Sequence, residues 1–216
     1  VVGMLGEDAV GEGFGVGESP EVDQRDHDVG LKLVIVGEGD RIYRTINGGN
    51  NWNLQQGSSS ALLAVNFPSA NVGYIAGSGG RMLKTTNGGN SWVPVTNAGS
   101  GLEAVTDMFF LNDNTGWIVG YDLTPPRGRG YVAKTTNGGN SWTLQSCQTC
   151  LPPDFPSFFA PLGDIYFSDA NNGWLTGAGA ALYSTSDGGN TWITRQSGGS
   201  SSLNGLTFFG SNGYAV

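Results

Sequence analysis

The sequence predicts an all-β protein assembled from repeated four-stranded antiparallel units. One octapeptide pattern occurs four times in 216 residues, beginning at Thr45, Thr85, Thr135 and Thr185. A second pattern, a glycine followed by an aromatic residue, recurs upstream of the octapeptide. No segment has the apolar periodicity of an amphipathic helix. Self-similarity at a spacing of 40 to 50 residues is typical of repeat architectures.

Each octapeptide predicts the end of one strand, a tight turn and the start of the next strand. The copy at 85–92 reads Thr-Thr-Asn-Gly-Gly-Asn-Ser-Trp. Asn-Gly and Asp-Gly favour hairpin turns because both residues tolerate a positive φ. We expect the Asn or Asp side chain to accept hydrogen bonds from turn amides, and the Trp to fill space beneath the hairpin. The residues expected to have this structural role are Thr45, Asn47, Gly49, Trp52, Thr85, Asn87, Gly89, Trp92, Thr135, Asn137, Gly139, Trp142, Ser186, Asp187, Gly189 and Trp192.

Two further short runs complete each repeat unit. The glycine–aromatic strands are Gly73–Gly77, Gly116–Gly120 and Gly173–Gly177. Each follows an apolar run that ends near a phenylalanine, such as Phe67, Phe110 or Phe167. About four short strands per unit, joined by Gly/Asn/Ser turns, are typical of the blades of a β-propeller.

The blade boundaries divide the chain into two parts. Residues 31–216 form the propeller, with three complete blades at 61–95, 102–144 and 163–194, and partial blades at 33–52 and 206–216. Residues 1–30 lie outside the repeat. The ring is therefore predicted to be incomplete. A truncated chain is the interpretation we favour; the alternatives are unrecognised strands in residues 1–30 or pairing with a neighbouring chain.

The pattern Ser/Thr-x-Asp/Asn-x-Gly-x-x-Trp resembles the Asp-box, or BNR, repeat of β-propellers. Together with the glycine–aromatic strand, it resembles most the photosystem II assembly-factor-like branch of that family. The resemblance implies that the boxes lie on the outer hairpins, away from the functional face. It also implies a basic patch, and this acidic chain departs from that pattern, with only Arg41, Arg44, Arg81 and Arg195 near the hairpins.

Composition excludes some classes of function. The formal net charge is −8, with only 10 Lys and Arg residues and no basic run, which argues against nucleic-acid binding. No run of 18 apolar residues predicts a transmembrane helix. No signal peptide is visible, and the chain does not begin with Met, so it is expected to be processed or trimmed. Sparse charge with abundant Gly, Ser and Asn suits an extracellular or periplasmic protein.

The two cysteines, Cys147 and Cys150, form a Cys-x-x-Cys sequence. Such a pair can be a redox motif, half of a zinc site or a local disulfide. Two prolines follow instead of a helix, and His27 is the only histidine. We therefore favour a disulfide that closes the inserted loop, which suits an oxidising compartment.

The segment 1–30 is acidic and rich in glycine. It contains 8 of the 18 acidic residues. Asp23, Asp26 and Asp28 could contribute to a calcium site, since Ca²⁺ prefers clustered carboxylates. Their spacing does not match an EF-hand loop, and we favour a flexible acidic arm with no cofactor.

The first functional hypothesis is a non-catalytic module that binds a protein or a glycan. Loops on one face of a propeller usually carry such contacts. Two inserted loops are the candidates, one with Arg127 and Arg129, the other with Phe155, Phe158 and Phe159. A third possibility, beside binding and catalysis, is a subunit of an extracellular oligomer or filament that associates through open blade edges.

The catalytic hypothesis is a glycoside hydrolase, which needs paired carboxylates. Asp107 and Asp164 lie three residues before Phe110 and Phe167, at equivalent places on first strands expected to line the central channel. A structural role at the start of the strand is the alternative that we favour. The sequence therefore leaves enzyme activity uncertain and favours its absence.

Overall fold

In a computed structural model, the described residues form five antiparallel sheets, with no helix beyond a three-residue 3-10 turn at Glu38–Asp40. The description covers residues 2–5, 32–56, 60–96, 103–122, 129–145, 162–196, 199–209 and 212–216. Sheet 1 contains β1 (Val2–Leu5), β2 (Lys32–Val36), β3 (Ile42–Thr45) and β4 (Asn53–Gln56). Sheet 2 contains β5 (Leu62–Asn66), β6 (Gly73–Gly77), β7 (Met82–Thr85) and β8 (Val93–Pro94).

The remaining sheets repeat the same order of strands. Sheet 3 contains β9 (Ala104–Phe110), β10 (Gly116–Asp122), β11 (Arg129–Thr135) and β12 (Thr143–Leu144). Sheet 4 contains β13 (Leu162–Phe167), β14 (Gly173–Gly177), β15 (Ala181–Thr185) and β16 (Ile193–Gln196). Sheet 5 is two-stranded, with β17 (Leu206–Phe209) and β18 (Asn212–Ala215).

The sheets are the blades of an incomplete propeller ring. Each sheet packs against the next along the sequence, and the first strand of each sheet contacts the first strand of its neighbour. The first strands β1, β5, β9, β13 and β17 therefore lie innermost. The all-β, four-stranded blade architecture predicted from the sequence is confirmed.

The N-terminal segment departs from the prediction in one respect. Val2–Leu5 pairs antiparallel with Lys32–Val36 and supplies the inner strand of sheet 1. Residues 1–30 were predicted to lie outside the repeat, so this part of the prediction is wrong for these four residues. The sequence did not reveal this strand because it lacks the phenylalanine–glycine pair of the repeat. Met4 pairs with Leu33 at the place where Phe110 pairs with Gly116 in sheet 3.

The glycine–aromatic motif joins each blade to the next. In sheet 3, the ring of Phe110 covers Gly116, where an added Cβ would lie 2.4 Å from a ring carbon. Tyr74 of sheet 2 stacks on the other side of this ring, with centroids 3.7 Å apart. Trp117 stacks on Phe167 of sheet 4 at the same distance. Such aromatic pairs add about 0.5–1.5 kcal/mol beyond the burial of their area.

The hydrophobic core consequently lies between the blades. Successive residues of a strand point to opposite faces of its sheet. Tyr74 packs towards sheet 3 and Ile75 towards sheet 1, and both are fully buried. Buried clusters fill the junctions of sheets 1 and 2, 2 and 3, and 3 and 4.

An ion pair adds a charged contact to the first junction. Asp40 is fully buried at φ +57° in the turn before β3, and its carboxylate pairs with Arg81 in the turn before β7. The pair links sheet 1 to sheet 2.

Candidate functional site

The four octapeptides form the same hydrogen-bonded turn. In the second copy, the Thr85 hydroxyl donates to Asn87 Oδ1 at 2.9 Å and accepts from the Gly89 amide at 3.0 Å. Asn87 Oδ1 also accepts from the Ser91 amide at 3.0 Å. The threonine is buried, and its hydroxyl takes the place of water as the hydrogen-bond partner of the turn amides. The Thr85 hydroxyl, Asn87 Oδ1 and the Gly89 and Ser91 amides therefore all form hydrogen bonds within the turn, which indicates a structural role.

The fourth copy uses Thr185 where the sequence analysis chose Ser186. The Thr185 hydroxyl donates to Asp187 Oδ1 at 2.8 Å and accepts from the Gly189 amide at 3.0 Å, while Ser186 is exposed. The choice of Ser186 was wrong because two adjacent hydroxyl residues precede the Asp. Only the strand register shows which of them points inward.

Asp107 and Asp164 lie half-buried on the neighbouring inner strands β9 and β13. Asp107 Oδ2 accepts from the Ile165 amide at 3.0 Å, across the junction between sheets 3 and 4. Asp164 Oδ2 accepts from the Leu206 amide of sheet 5 at 2.7 Å, and its Oδ1 accepts from the Ile165 amide at 2.7 Å. Each carboxylate therefore joins its own blade to the blade that follows.

The two carboxylates meet at one main-chain amide, since Asp107 Oδ2 and Asp164 Oδ1 both accept from the Ile165 amide. Burial, followed by the neighbouring Asp164 charge, raises the pKa of Asp107 well above its ordinary value. The inner strands β5 and β17 carry no acidic side chain. At the place equivalent to Asp107, sheet 2 has Ala64.

This geometry differs from that of a glycoside hydrolase. The carboxyl groups of such enzymes stand roughly 5 to 9.5 Å apart, so that a sugar bond fits between them. Here the Ile165 amide stands between Asp107 Oδ2 and Asp164 Oδ1 and donates to both. Asp107 and Asp164 are in addition occupied by strand amides. The structure brings the predicted pair together, but in an arrangement that serves blade packing.

Three basic residues near the hairpins, Arg44, Lys84 and Lys134, join one blade to the next, whereas Arg195 bonds within its own sheet. Arg44 Nε donates to the Gly88 carbonyl of the next box at 3.0 Å, and Lys84 Nζ donates to the Gly138 carbonyl at 2.7 Å. Lys134 Nζ lies 3.5 Å from the Gly188 carbonyl and 4.9 Å above the Trp117 ring. Arg195 Nε donates to Ser184 Oγ at 2.7 Å.

The sequence analysis missed this role of Lys84 and Lys134. The available signal was a basic residue directly before the first threonine of three boxes, at Arg44, Lys84 and Lys134.

The strand ends that flank the two inserted loops lie on one face of the ring. The strands of a sheet alternate in direction, so the β10–β11 connection and the β12–β13 connection start from the same end of sheet 3. The boxes lie at the opposite end, where the Gly138 amide donates to the Asn114 carbonyl of the β9–β10 turn. The strand ends to which the two predicted contact loops attach thus lie on a face that the boxes do not occupy.

Several predicted residues lie outside the described residues. These are the contact residues Arg127, Phe155, Phe158 and Phe159, the cysteines Cys147 and Cys150, and the calcium candidates Asp23, Asp26 and Asp28. Arg129 begins β11, but its side chain is not described. Within the described ranges, no group of three or more His, Cys, Asp or Glu could hold a metal ion.

A family model for the photosystem II assembly factor YCF48 matches residues 49–163, more than half of the sequence. The chain belongs to the YCF48 family. This family is the branch of Asp-box propellers that the sequence motifs resembled. A comparison with curated proteins finds no match.

Two solved structures, with TM-scores of 0.60 and 0.58, support the fold. A YCF48 structure from Cyanidioschyzon merolae is 20% identical over 85% of this chain and 62% of its own, with a TM-score of 0.60. A GH74 xyloglucanase from Xanthomonas campestris is 17% identical over 76% of this chain and 28% of its own, with a TM-score of 0.58. A YCF48 bound to a D1 peptide is 18% identical over 85% of this chain and 86% of its own, with a TM-score of 0.43.

This YCF48-family chain thus spans about two thirds or less of the longer propellers it resembles. Among the residues that the structure describes, no helix is long and apolar enough to cross a membrane.

Proposed function

We propose that this protein is a protein-binding assembly module without chemistry of its own. The observation that carries the proposal is the state of the inner carboxylates. Asp107 and Asp164 accept hydrogen bonds from the Ile165 and Leu206 amides, and these bonds occupy the oxygens that acid–base work on a substrate would need. Membership of a family described as an assembly factor supports the same conclusion.

The proposed contact surface is the face from which the two inserted loops leave. Aromatic and arginine side chains are enriched among residues that dominate binding energy. Phe155, Phe158 and Phe159 in one loop, with Arg127 and Arg129 in the other, supply both types. A glycan is the alternative ligand, because aromatic rings also pack against the apolar faces of sugars.

A peptide-binding assay tests the proposal. The first probe is the D1 peptide with which a YCF48 was solved. Replacing Phe155, Phe158 and Phe159 together by Ala should weaken binding about tenfold or more, the loss typical of a buried aromatic anchor. Leu54→Ala is the matched control, since Leu54 is an exposed apolar residue of the outer strand β4. Binding should be unchanged in that variant.

Two outcomes would contradict the proposal. One is binding of xyloglucan oligosaccharides in place of the peptide, which would favour the glycan alternative. The other is turnover of such oligosaccharides that Asp107→Asn and Asp164→Asn abolish, which would favour a glycoside hydrolase.

We further propose an extracytoplasmic location. Its support is the small fraction of charged residues, 13%, together with the close spacing of Cys147 and Cys150. Thiol titration of the denatured protein tests it. Two thiols that become reactive only after reduction support an oxidising compartment, and two thiols reactive at once contradict it.

A further inference from the structure

Three of the four boxes contain the same Asn-Gly-Gly-Asn sequence, at residues 47–50, 87–90 and 137–140. The turns differ in how the first glycine amide is held. The Gly88 amide donates to the Asn71 carbonyl and the Gly138 amide to the Asn114 carbonyl, each at 2.9 Å, and both glycines are buried. Gly48 is exposed, and its amide has no acceptor among the described residues.

The asparagine side-chain amides of the second and third boxes are also held by hydrogen bonds, in contrast to that of the first box. Asn87 Nδ2 donates to Ser91 Oγ at 2.9 Å, and Asn137 Nδ2 donates to Ser141 Oγ at 2.8 Å. Asn51 stands at the corresponding place in the first box. Within the described part of the protein, Asn47 Nδ2 makes no hydrogen bond, although Oδ1 keeps its bonds to Thr45 and Asn51.

We propose that Asn47 is a site of spontaneous deamidation, and that Asn87 and Asn137 are protected from it by their hydrogen bonds. In this reaction the amide nitrogen of the following glycine loses its proton and attacks the amide carbon of the asparagine. A new C–N bond forms, the C–N bond of the asparagine amide breaks, and ammonia leaves with the proton. Water then opens the five-membered imide at either carbonyl, giving aspartate or isoaspartate. No oxidant or cofactor is needed.

In the first box, the nucleophile and the leaving group are two atoms for which the described ranges provide no hydrogen-bond partner. At Asn87 and Asn137, the attacking glycine nitrogen must first break its bond to the preceding turn. The leaving nitrogen must also break its bond to a serine. Each such bond lowers the population of the reactive arrangement.

The two products have different structural consequences. Aspartate fits, because Asp187 makes the same bonds in the fourth box, accepting from Thr185 Oγ1 at 2.8 Å and the Thr191 amide at 2.9 Å. Isoaspartate adds one atom to the main chain between Thr45 and Gly49. The Gly49 amide then no longer reaches the Thr45 hydroxyl, to which it donates at 3.0 Å. The isoaspartate product should therefore loosen the first box only.

The test is to incubate the full-length protein at mildly alkaline pH and follow the three sites by peptide mapping with mass spectrometry. Asn47 should deamidate about tenfold faster than Asn87 or Asn137. At those two sites about one hydrogen bond must break at the attacking nitrogen and one at the leaving nitrogen. Equal rates at the three sites, or slower reaction at Asn47, would overturn the proposal.

Two controls separate structure from sequence. Asn51→Ser places a serine where Ser91 and Ser141 hold the other asparagine amides, and it should slow the reaction at Asn47. An unchanged rate would contradict the role of the leaving group. In concentrated urea the three sites should react at similar rates, since each asparagine follows a β-branched residue and precedes the same Gly-Gly-Asn sequence. A persistent preference for Asn47 in urea would mean that the fold is not its cause.

Discussion

Asp107 and Asp164 show at the residue scale how a predicted site acquires a different role. The sequence placed both residues at equivalent positions on first strands, and both lie there. It could not show what their oxygens bond to, because the Ile165 and Leu206 amides belong to other strands, 58 and 42 residues away. The pair joins blades, and burial in that position, followed by the neighbouring Asp164 charge, raises the pKa of Asp107.

Replacing Asp107 with Asn should change how stability depends on pH. The raised pKa means that the native pair keeps a proton where an unfolded carboxyl, with a pKa near 4, has lost it. The free energy of unfolding therefore falls as pH rises from about 4 through the raised pKa. Asn accepts the same amide bond and cannot ionise. Urea unfolding should show the variant gaining on the wild type as pH rises from about 4 to about 8.

Asp169→Asn is the control with the opposite sign. Hydrogen bonds from the Asn172 side chain and then from the Asn171 and Asn172 amides lower the pKa of Asp169 to about 2. A lowered pKa stabilises the native state above about pH 4 and loses that effect as pH falls towards about 2. This variant should lose stability at neutral pH and match the wild type in acid. The same pH trend in both variants would contradict the assignment to Asp107.

At the scale of the element, the hairpin was predictable because its determinants are local. The box threonine, the Asn or Asp and the glycine amide all lie within five residues and bond to one another. Glycines with positive φ, such as Gly88 at +65°, are required by the turn itself. The choice between Thr185 and Ser186 was not local, because it depends on which residue of β15 faces the interior.

Thr185→Val tests that choice. Valine keeps the shape of threonine and removes the hydroxyl, which leaves the buried Gly189 amide without its acceptor. The free energy of unfolding should fall by about 2 kcal/mol. Ser186→Ala is the matched control, and an exposed position should change it by less than about 0.5 kcal/mol. Equal losses measured by urea denaturation would argue against the inward role of Thr185.

At the scale of the molecule, the junctions between blades repeat one arrangement with small defects. The Trp92 indole donates to Gln55 Oε1 of the preceding sheet at 3.3 Å. Gln55 lies three residues after its own box Trp, and Val95 has the same place in sheet 2. Over the described ranges, the buried Trp142 Nε1 of sheet 3 finds no hydrogen-bond partner, and Val95 packs in the same cluster. An acceptor is thus missing at this junction.

Val95→Gln should therefore stabilise the protein. Its side-chain oxygen would stand where Gln55 stands in sheet 1 and would accept from Trp142 Nε1. Satisfying a buried donor should raise the free energy of unfolding by about 1 kcal/mol. The shift of the Trp142 indole proton in NMR should report the new bond directly.

Gln55→Val is the reciprocal control. It removes the acceptor of Trp92 and should lower stability. A stabilised Val95→Gln variant with an unchanged Trp142 indole signal would show that the gain has another source.

The sequence by itself determined the repeat, the strand order within each blade and the turn chemistry, because these depend on residues close together along the backbone. Tertiary structure decided the partners across blades: the amides that occupy Asp107 and Asp164, the box carbonyl that Lys84 reaches, and the place of Val2–Leu5 as an inner strand. A repeat fixes which strands are neighbours. It does not fix which side-chain atoms meet, since that depends on distances set only when the blades pack.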